Sequence, residues 1–436
     1  MKTLEEFGLR IPQILLPKNI DLSTWSVIAC DQYTQDKEYW SKVEQTVGDK
    51  PSTLNLILPE VYLNSPDKEE KIKKIRSTMK NYLDNGIFDS PKNAFIYLER
   101  TTAFGRTRKG LIVQIDLETY EWKPFSKANI RATEATIVER IPPRMEIRKG
   151  AQLELPHIML LVNDKDDILV GGNKPKDGRK PLYSGNLMAN GGKITGWALE
   201  SQSDLEGIEK ALNKIAEENK SSDGSIFLFA VGDGNHSLAT AKAVWDQYKE
   251  EHPGVQDSPV RYALVEIVNI YDKGLTFEPI HRVIFNVNNL ELINYLAEKL
   301  QGKIVNLNSA EELENRVKNS WANFGFAFVD NQENQKYILL ETDIKELAVA
   351  RLQPEIDSFM KNLPKENTAE IDYIHGSDEV LKLGTKKNST GILLPPIAKD
   401  SFFETINGRG PLPRKSFSMG EADEKRFYLE CRKLFD

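Results

Sequence analysis

The stretch Phe227–Tyr248, F-L-F-A-V-G-D-G-N-H-S-L-A-T-A-K-A-V-W-D-Q-Y, constrains the fold of this chain more than any other. It opens on the apolar run Ile226 to Val231, which has the length and bulk of a buried strand. Gly232, Asp233 and Gly234 interrupt that run. A helical pattern then follows, with Leu238, Ala241, Trp245 and Tyr248 on one face. Asn235 or Ser237 is placed to cap the helix. A strand, a tight glycine turn and a helix N-terminus together require a mixed α/β protein. The junction aims unpaired N–H groups and the positive end of a helix dipole at one point. Its natural guest is an anion, most often a phosphate, and His236 in the first helical turn adds a hydrogen bond or a proton. The same junction also occurs in α/β proteins with nothing bound, and neither the Walker nor the G-x-G-x-x-G spacing is present.

A chain of 436 residues exceeds one ordinary core and implies two or three lobes. Residues 1–125 read as an N-terminal α/β lobe and 126–285 as a core. Residues 286–350 read as an inserted α-β-α-β-β subdomain, and 351–436 as a segment returning to the core. Hydrophobic content of 40% with 28% charged residues is that of a soluble globular protein. A net charge of −7 argues against a broad nucleic-acid footprint. Cys30 and Cys431, far apart in sequence, make no disulfide framework and fit a reducing cytoplasm. The stretch Met1 to Gly8 lacks the apolar core of a signal peptide, and no apolar run approaches a membrane span. No Cys/His cluster has zinc spacing, and the oligomeric state is not legible.

Within the N-terminal lobe, Trp25 to Ala29 and Leu54 to Leu58 read as short buried strands, with a helix over 36–47 and another over 68–85. Asp31, at the end of the first strand, is either a ligand contact or a loop acid. Ala94–Arg100 and Lys109–Asp116 read as paired strands. The turn carrying Arg100, Arg106, Arg108 and Lys109 reads as a solvated loop, with a phosphate clamp as the alternative. In I-R-A-T-E-A-T, Glu134 between Thr133 and Thr136 is the best acid candidate. Arg140, Arg144 and Arg148 follow at spacings of four, with Pro142-Pro143 breaking the helix they would share. They are partners either for surface carboxylates or for an anionic substrate. Asn163–Leu182 reads as a surface loop or a lid over the site. His281-Arg282 lies between apolar neighbours, so one of the two side chains should point inward. The 407–417 segment, with Arg409, Arg414 and Lys415, is held extended by glycine and proline.

Several motifs, in order, resemble the bacterial and archaeal family known as domain of unknown function 1015. They are N-L-I-L-P at 55–59, E-A-T at 134–136 with Arg144 downstream, and D-G-N-H-S at 233–237. G-L-T-F-E-P-I-H-R-V at 274–283 and P-L-P-R-K-S-F at 411–417 complete the series. The usual pattern is closer to D-G-H-H-R, so Asn235 and Ser237 are departures, as is Thr133 before the glutamate. That motif is also similar to one in ParB/sulfiredoxin-like proteins, which include a nucleotide-dependent kinase of free serine. The resemblance implies a ParB/sulfiredoxin-like core and a phosphate cradle at Gly232, Gly234, Asn235 and Ser237. Arg144, Arg282 and Lys415 would balance charge. Glu134, Asp233 and His236 would be catalytic, and Asp31, Thr136 and His281 would meet substrate. The ligands would be ATP or ADP with Mg²⁺, held by Asp233 or Glu134, and a small hydroxylated metabolite such as free serine. The alternatives are a non-catalytic nucleotide- or phosphate-binding regulator, and a hydrolase using Glu134 and His236.

Overall fold

The computed structural model describes residues 2–176, 178–364 and 368–435. Met1, Asp177 of the 163–182 segment, residues 365–367 and Asp436 lie outside that description. The chain forms two units: Met1–Leu275 with Gly420–Asp436, and the intervening Thr276–Met419.

The first unit is built on a ten-stranded mixed sheet. Its row runs Tyr183–Asn186, Lys193–Leu199, Phe95–Thr101, Thr107–Asp116, Tyr262–Asn269, Met159–Val162, Phe229–Asp233, Ile130–Ala132 and Tyr120–Glu121. Leu9–Arg10 pairs with Thr107–Asp116 off this row. Strand alternation feeds two cores. Phe95 and Tyr97 point into one layer, and Ile96 and Leu98 into the other.

Helices Gln202–Glu218 and Asn235–Glu251 cover the first layer. Ser201 and Asp204 form a capping box at the start of the former, which lays Ile208, Leu212 and Ile215 against the sheet. Each such burial is worth about 1.5–3 kcal/mol. Helices Lys37–Val47 and Lys68–Asp84 cover the second layer, which the C-terminal segment completes with Phe427, Leu429 and Cys431.

Local chemistry overrides several sequence expectations. Trp25 ends a single helical turn, Leu22–Trp25, because the Asp21 side chain caps it by accepting the Ser23 N–H. Leu54–Leu58 is no strand. Ser52 caps a 3₁₀ turn, Thr53–Leu56, instead. Pro142 and Pro143 open the helix Ile141–Arg148 rather than breaking it, since first-turn N–H groups need no helical partner. In the 163–182 segment, Leu169 and Val170 are buried and Asp164 accepts the Leu169 N–H, so this part packs into the unit.

The tip of the basic turn is exposed, but its four basic side chains are buried or paired rather than free in solvent. Arg100 and Arg108 are buried, Arg106 pairs with Glu424 at 2.7 Å, and Lys109 pairs with Asp167. Arg100 donates to the carbonyls of Gly191, Asp423, Glu424 and Lys425. Glu266, fully buried on the Tyr262–Asn269 strand, accepts from both Arg108 and Arg426, and Arg426 also pairs with Glu430. The charges were legible in the sequence. Their partners lie far along the chain: the carboxylates of Glu266 and Glu424 for Arg108 and Arg106, 158 and 318 residues away, and that of Asp167 for Lys109, 58 residues away.

The second unit holds a six-stranded antiparallel sheet. Its order is Lys303–Leu307, Gln335–Glu341, Phe324–Val329, Ser389–Leu393, His281–Phe285 and Glu370–Ile374. Helix Lys399–Arg409 takes up the start of the 407–417 segment, which is therefore not extended throughout. Among the described residues, no helix is long and apolar enough to cross a membrane.

Candidate functional site

The strand Phe229–Asp233 pairs with Met159–Val162 until its register shifts between Val231 and Asp233, so Gly232 occupies a bulge inside the strand rather than a turn. The turn falls on Gly234, at φ +84°. A Cβ there would lie 3.0 Å from the Ile158 side chain, so both backbone conformation and space call for glycine. Gly234→Ala is expected to cost about 1–2 kcal/mol, measured as a lower urea midpoint. An unchanged midpoint would show that the turn tolerates a side chain.

Helix Asn235–Glu251 begins without a side-chain cap. Asn235 and Ser237, the expected caps, point elsewhere. Asn235 Oδ1 accepts the Thr133 N–H at 3.1 Å, and its Nδ2 donates to Thr133 Oγ1 at 3.2 Å. The Ser237 hydroxyl meets His157 Nε2 at 3.0 Å. The first-turn N–H groups of Asn235 and Ser237 therefore have no partner among the described residues. Asp233 Oδ1 accepts the Gly234 N–H at 3.1 Å, and its Oδ2 lies 3.4 Å from Lys425 Nζ.

The E-A-T segment reaches this corner through strand pairing. Ile130–Ala132 runs parallel to Phe229–Val231, which brings Thr133 beside Asn235. Farther on, the Ile137 N–H donates to His236 Nε2 at 3.2 Å, which leaves the imidazole proton on Nδ1. First-turn residues of one helix thus pin the loop carrying Glu134 and Thr136 at both ends. Glu134 is half-buried, and Thr136 Oγ1 is buried with no hydrogen-bond partner among the described residues. Arg144, on the helix after the loop, is paired with Glu60 and also donates to the Arg140 carbonyl.

Sequence reading missed His157, Tyr428 and Lys425. His157 is buried, with Nδ1 2.9 Å from the Tyr428 hydroxyl. The Cys30 N–H donates to that hydroxyl at 3.2 Å, and the other ring nitrogen, Nε2, faces Ser237. Asp31 lies 3.8 Å from the same Nε2. A serine hydrolase triad would put its acid on the opposite ring nitrogen, with Nε2 accepting from serine. This cluster does not have that geometry. Burial pushes the Cys30 thiol well up, which removes it as a nucleophile near neutral pH.

His281, Arg282 and Lys415 belong to the second unit. Arg282 is fully buried, donates from Nε to Gln353 at 2.9 Å, and stacks over the Tyr373 ring. Lys415 is exposed, at φ +57°. The sequence called for one of the 281–282 pair to point inward, and both are buried. His281 accepts the Leu394 N–H on Nδ1 at 3.0 Å. Burial first, then Arg282 and His375, hold its imidazole down at about 4, against an ordinary 6.5. Between those values the unfolded chain binds a proton that the folded chain excludes, so stability falls as pH drops. Unfolding free energy of the second unit is expected to decline by up to about 3 kcal/mol from pH 7 to pH 4. His281→Asn should flatten that slope in urea titrations, and an unaltered slope would assign it to another group.

Among the described residues, no group of three His, Cys, Asp or Glu side chains could hold a metal ion. The fold is mixed α/β, with the D-G-N-H-S corner and the E-A-T loop tied together on one sheet. The chain belongs to the family described as Protein of unknown function (DUF1015), whose model matches residues 14–372. A comparison with curated proteins finds no match. Among solved structures, the chain is similar to a conserved hypothetical protein from Pyrococcus furiosus, at 11% identity and a TM-score of 0.35, covering 74% of this chain and 97% of that one. It is also similar to free serine kinase in complex with AMP, at 10% identity and a TM-score of 0.38, covering 74% and 92%. SbnI from Staphylococcus aureus, with a C-terminal truncation, aligns at 8% identity and a TM-score of 0.35, covering 71% and 83%.

Proposed function

We propose that this protein is a nucleotide-dependent phosphotransferase acting on a small hydroxylated metabolite, with its site at the start of helix Asn235–Glu251. The observation that carries this reading is the pinning of the Glu134 loop, through Thr133 and Ile137, onto a helix start whose Asn235 and Ser237 amides have no partner among the described residues. Those amides and the helix dipole would hold phosphate oxygens. Lys425, drawn in by Asp233, would neutralise charge from one side. Glu134 would take the proton of the acceptor hydroxyl as its oxygen attacks the terminal phosphorus of ATP or ADP. The bond from that phosphorus to its bridging oxygen breaks, and the shortened nucleotide leaves.

Mg²⁺, when bound, would offset charge on the phosphates. It would have to arrive with the nucleotide, because Asp233 already faces Lys425 and Gly234 and no three-ligand group exists among the described residues. The test is a thermal-shift series with ATP, ADP and inorganic phosphate, each with and without Mg²⁺. At a hundredfold excess over Kd, nucleotide should add about 2.7 kcal/mol of stability. No response to any of the three would end the reading. Nucleotide consumption that depends on an added hydroxyl compound would separate a kinase from a regulator that merely binds.

A further inference from the structure

A cavity of about 150 Å³ opens in the first unit, with Ser237 and His157 in its wall. Ser237 therefore faces two ways: its N–H belongs to the helix start and its side chain to the cavity. We propose, resting on the phosphotransferase reading, that this cavity holds the apolar body of the phosphoryl acceptor, its reacting hydroxyl directed past Ser237 toward Glu134, which is not part of the cavity wall. We further propose that the acceptor is an uncharged alcohol with an apolar body rather than a zwitterionic amino acid.

Three observations carry the assignment. The wall is largely aliphatic, with Leu58, Leu63, Met79, Ile147 and Leu153 among its residues. A cavity of this size and character takes a body of about six to eight heavy atoms, roughly a benzene ring with a short arm. The charged groups in the wall are already matched: Arg144 with Glu60, and Arg148 with Glu154 at 2.6 Å. A zwitterion would need both a cation and an anion to spare, and recruiting them would break partly buried pairs. The other polar groups of the wall carry no fixed charge: the Ser237 hydroxyl, the His157 ring and the Tyr428 hydroxyl are bonded to one another, the Thr240 hydroxyl donates to the His236 carbonyl, and the hydroxyl oxygens can each accept one further hydrogen bond. These suit one alcohol group, placed beside the amide that would hold phosphate.

The probes are benzyl alcohol and L-serine, read by saturation-transfer NMR and thermal shift on the full chain. Benzyl alcohol is expected to bind at millimolar concentration and L-serine is not. Leu63→Trp and Ile147→Trp, both at half-buried wall positions, should fill the space and weaken benzyl alcohol at least tenfold while leaving the thermal response to ATP unchanged. If either variant fails to fold, displacement of benzyl alcohol by 1-hexanol from the unaltered protein reports on the same cavity. Failure of benzyl alcohol to bind, equal binding by a folded Trp variant, absence of displacement, or preferential binding of L-serine would overturn the proposal. Loss of the ATP response with alcohol binding intact would sink the phosphate assignment alone.

Discussion

Glu266→Ala is expected to lower the stability of the first unit by about 3–5 kcal/mol, because it strips Arg108 and Arg426 of a shared, fully buried counter-charge. Neither guanidinium has water to turn to: their side chains are 4% and 2% exposed. Simultaneous replacement of Arg108, Glu266, Arg426 and Glu430 by Met, Leu, Met and Gln should recover most of the loss, since it also removes the carboxylate that Arg426 would leave behind, keeps an acceptor for the Tyr183 hydroxyl, and so leaves no orphaned charge. A midpoint shift below about 1 kcal/mol for the single variant would mean that the arginines relax to solvent. The pH dependence follows in sign. Burial pushes the Glu266 carboxyl up, but Arg108 and Arg426 outweigh it, and the net direction is down. Its stabilisation is thus complete above the ordinary carboxylate range and disappears as pH falls through the depressed folded value. Unfolding free energy should drop in acid below about pH 4.5, and the Glu266→Ala variant should lose part of that slope.

Glu134→Gln and Asp233→Ala should each reduce phosphoryl transfer by about 10²- to 10⁴-fold, with urea midpoints close to the parent's. Glutamine keeps the shape of Glu134 but cannot accept a proton. Alanine at 233 releases Lys425 and the Gly234 amide from their carboxylate. Steady-state kinetics with nucleotide varied up to saturation separates the two roles. The Glu134 variant should lose kcat, whereas the Asp233 variant should also raise the nucleotide KM. Undiminished turnover in both variants would remove the corner as the reacting site.

The strands and helices of both units were legible where apolar periodicity was strong. Lys37–Val47 and Lys68–Asp84 fall where the helical patterns over 36–47 and 68–85 put them. Misreadings came where a single side chain decides the backbone, as Asp21 and Ser52 do by capping short turns. Gly234 was legible as a turn glycine, but the jobs of Asn235 and Ser237 were not. Each has a partner about 80 to 100 residues away, Thr133 and His157, and local sequence supports capping equally well. His157 left no signal beyond its place before an apolar run. Its importance comes from the Tyr428 hydroxyl, 271 residues on. The basic turn misled for the same reason, since nothing near Arg108 in sequence announces Glu266.

The C-terminal segment packs Arg426, Leu429 and Arg432 into a unit whose ten-stranded sheet is made wholly of strands that precede residue 276. On the ribosome, Glu266 emerges 160 residues ahead of Arg426, and Glu154 emerges 278 residues ahead of Arg432. Until synthesis reaches those arginines, the nascent first unit carries carboxylates short of their full complement of cations in its half-made interior. Its final locking therefore waits until the whole second unit has been synthesised.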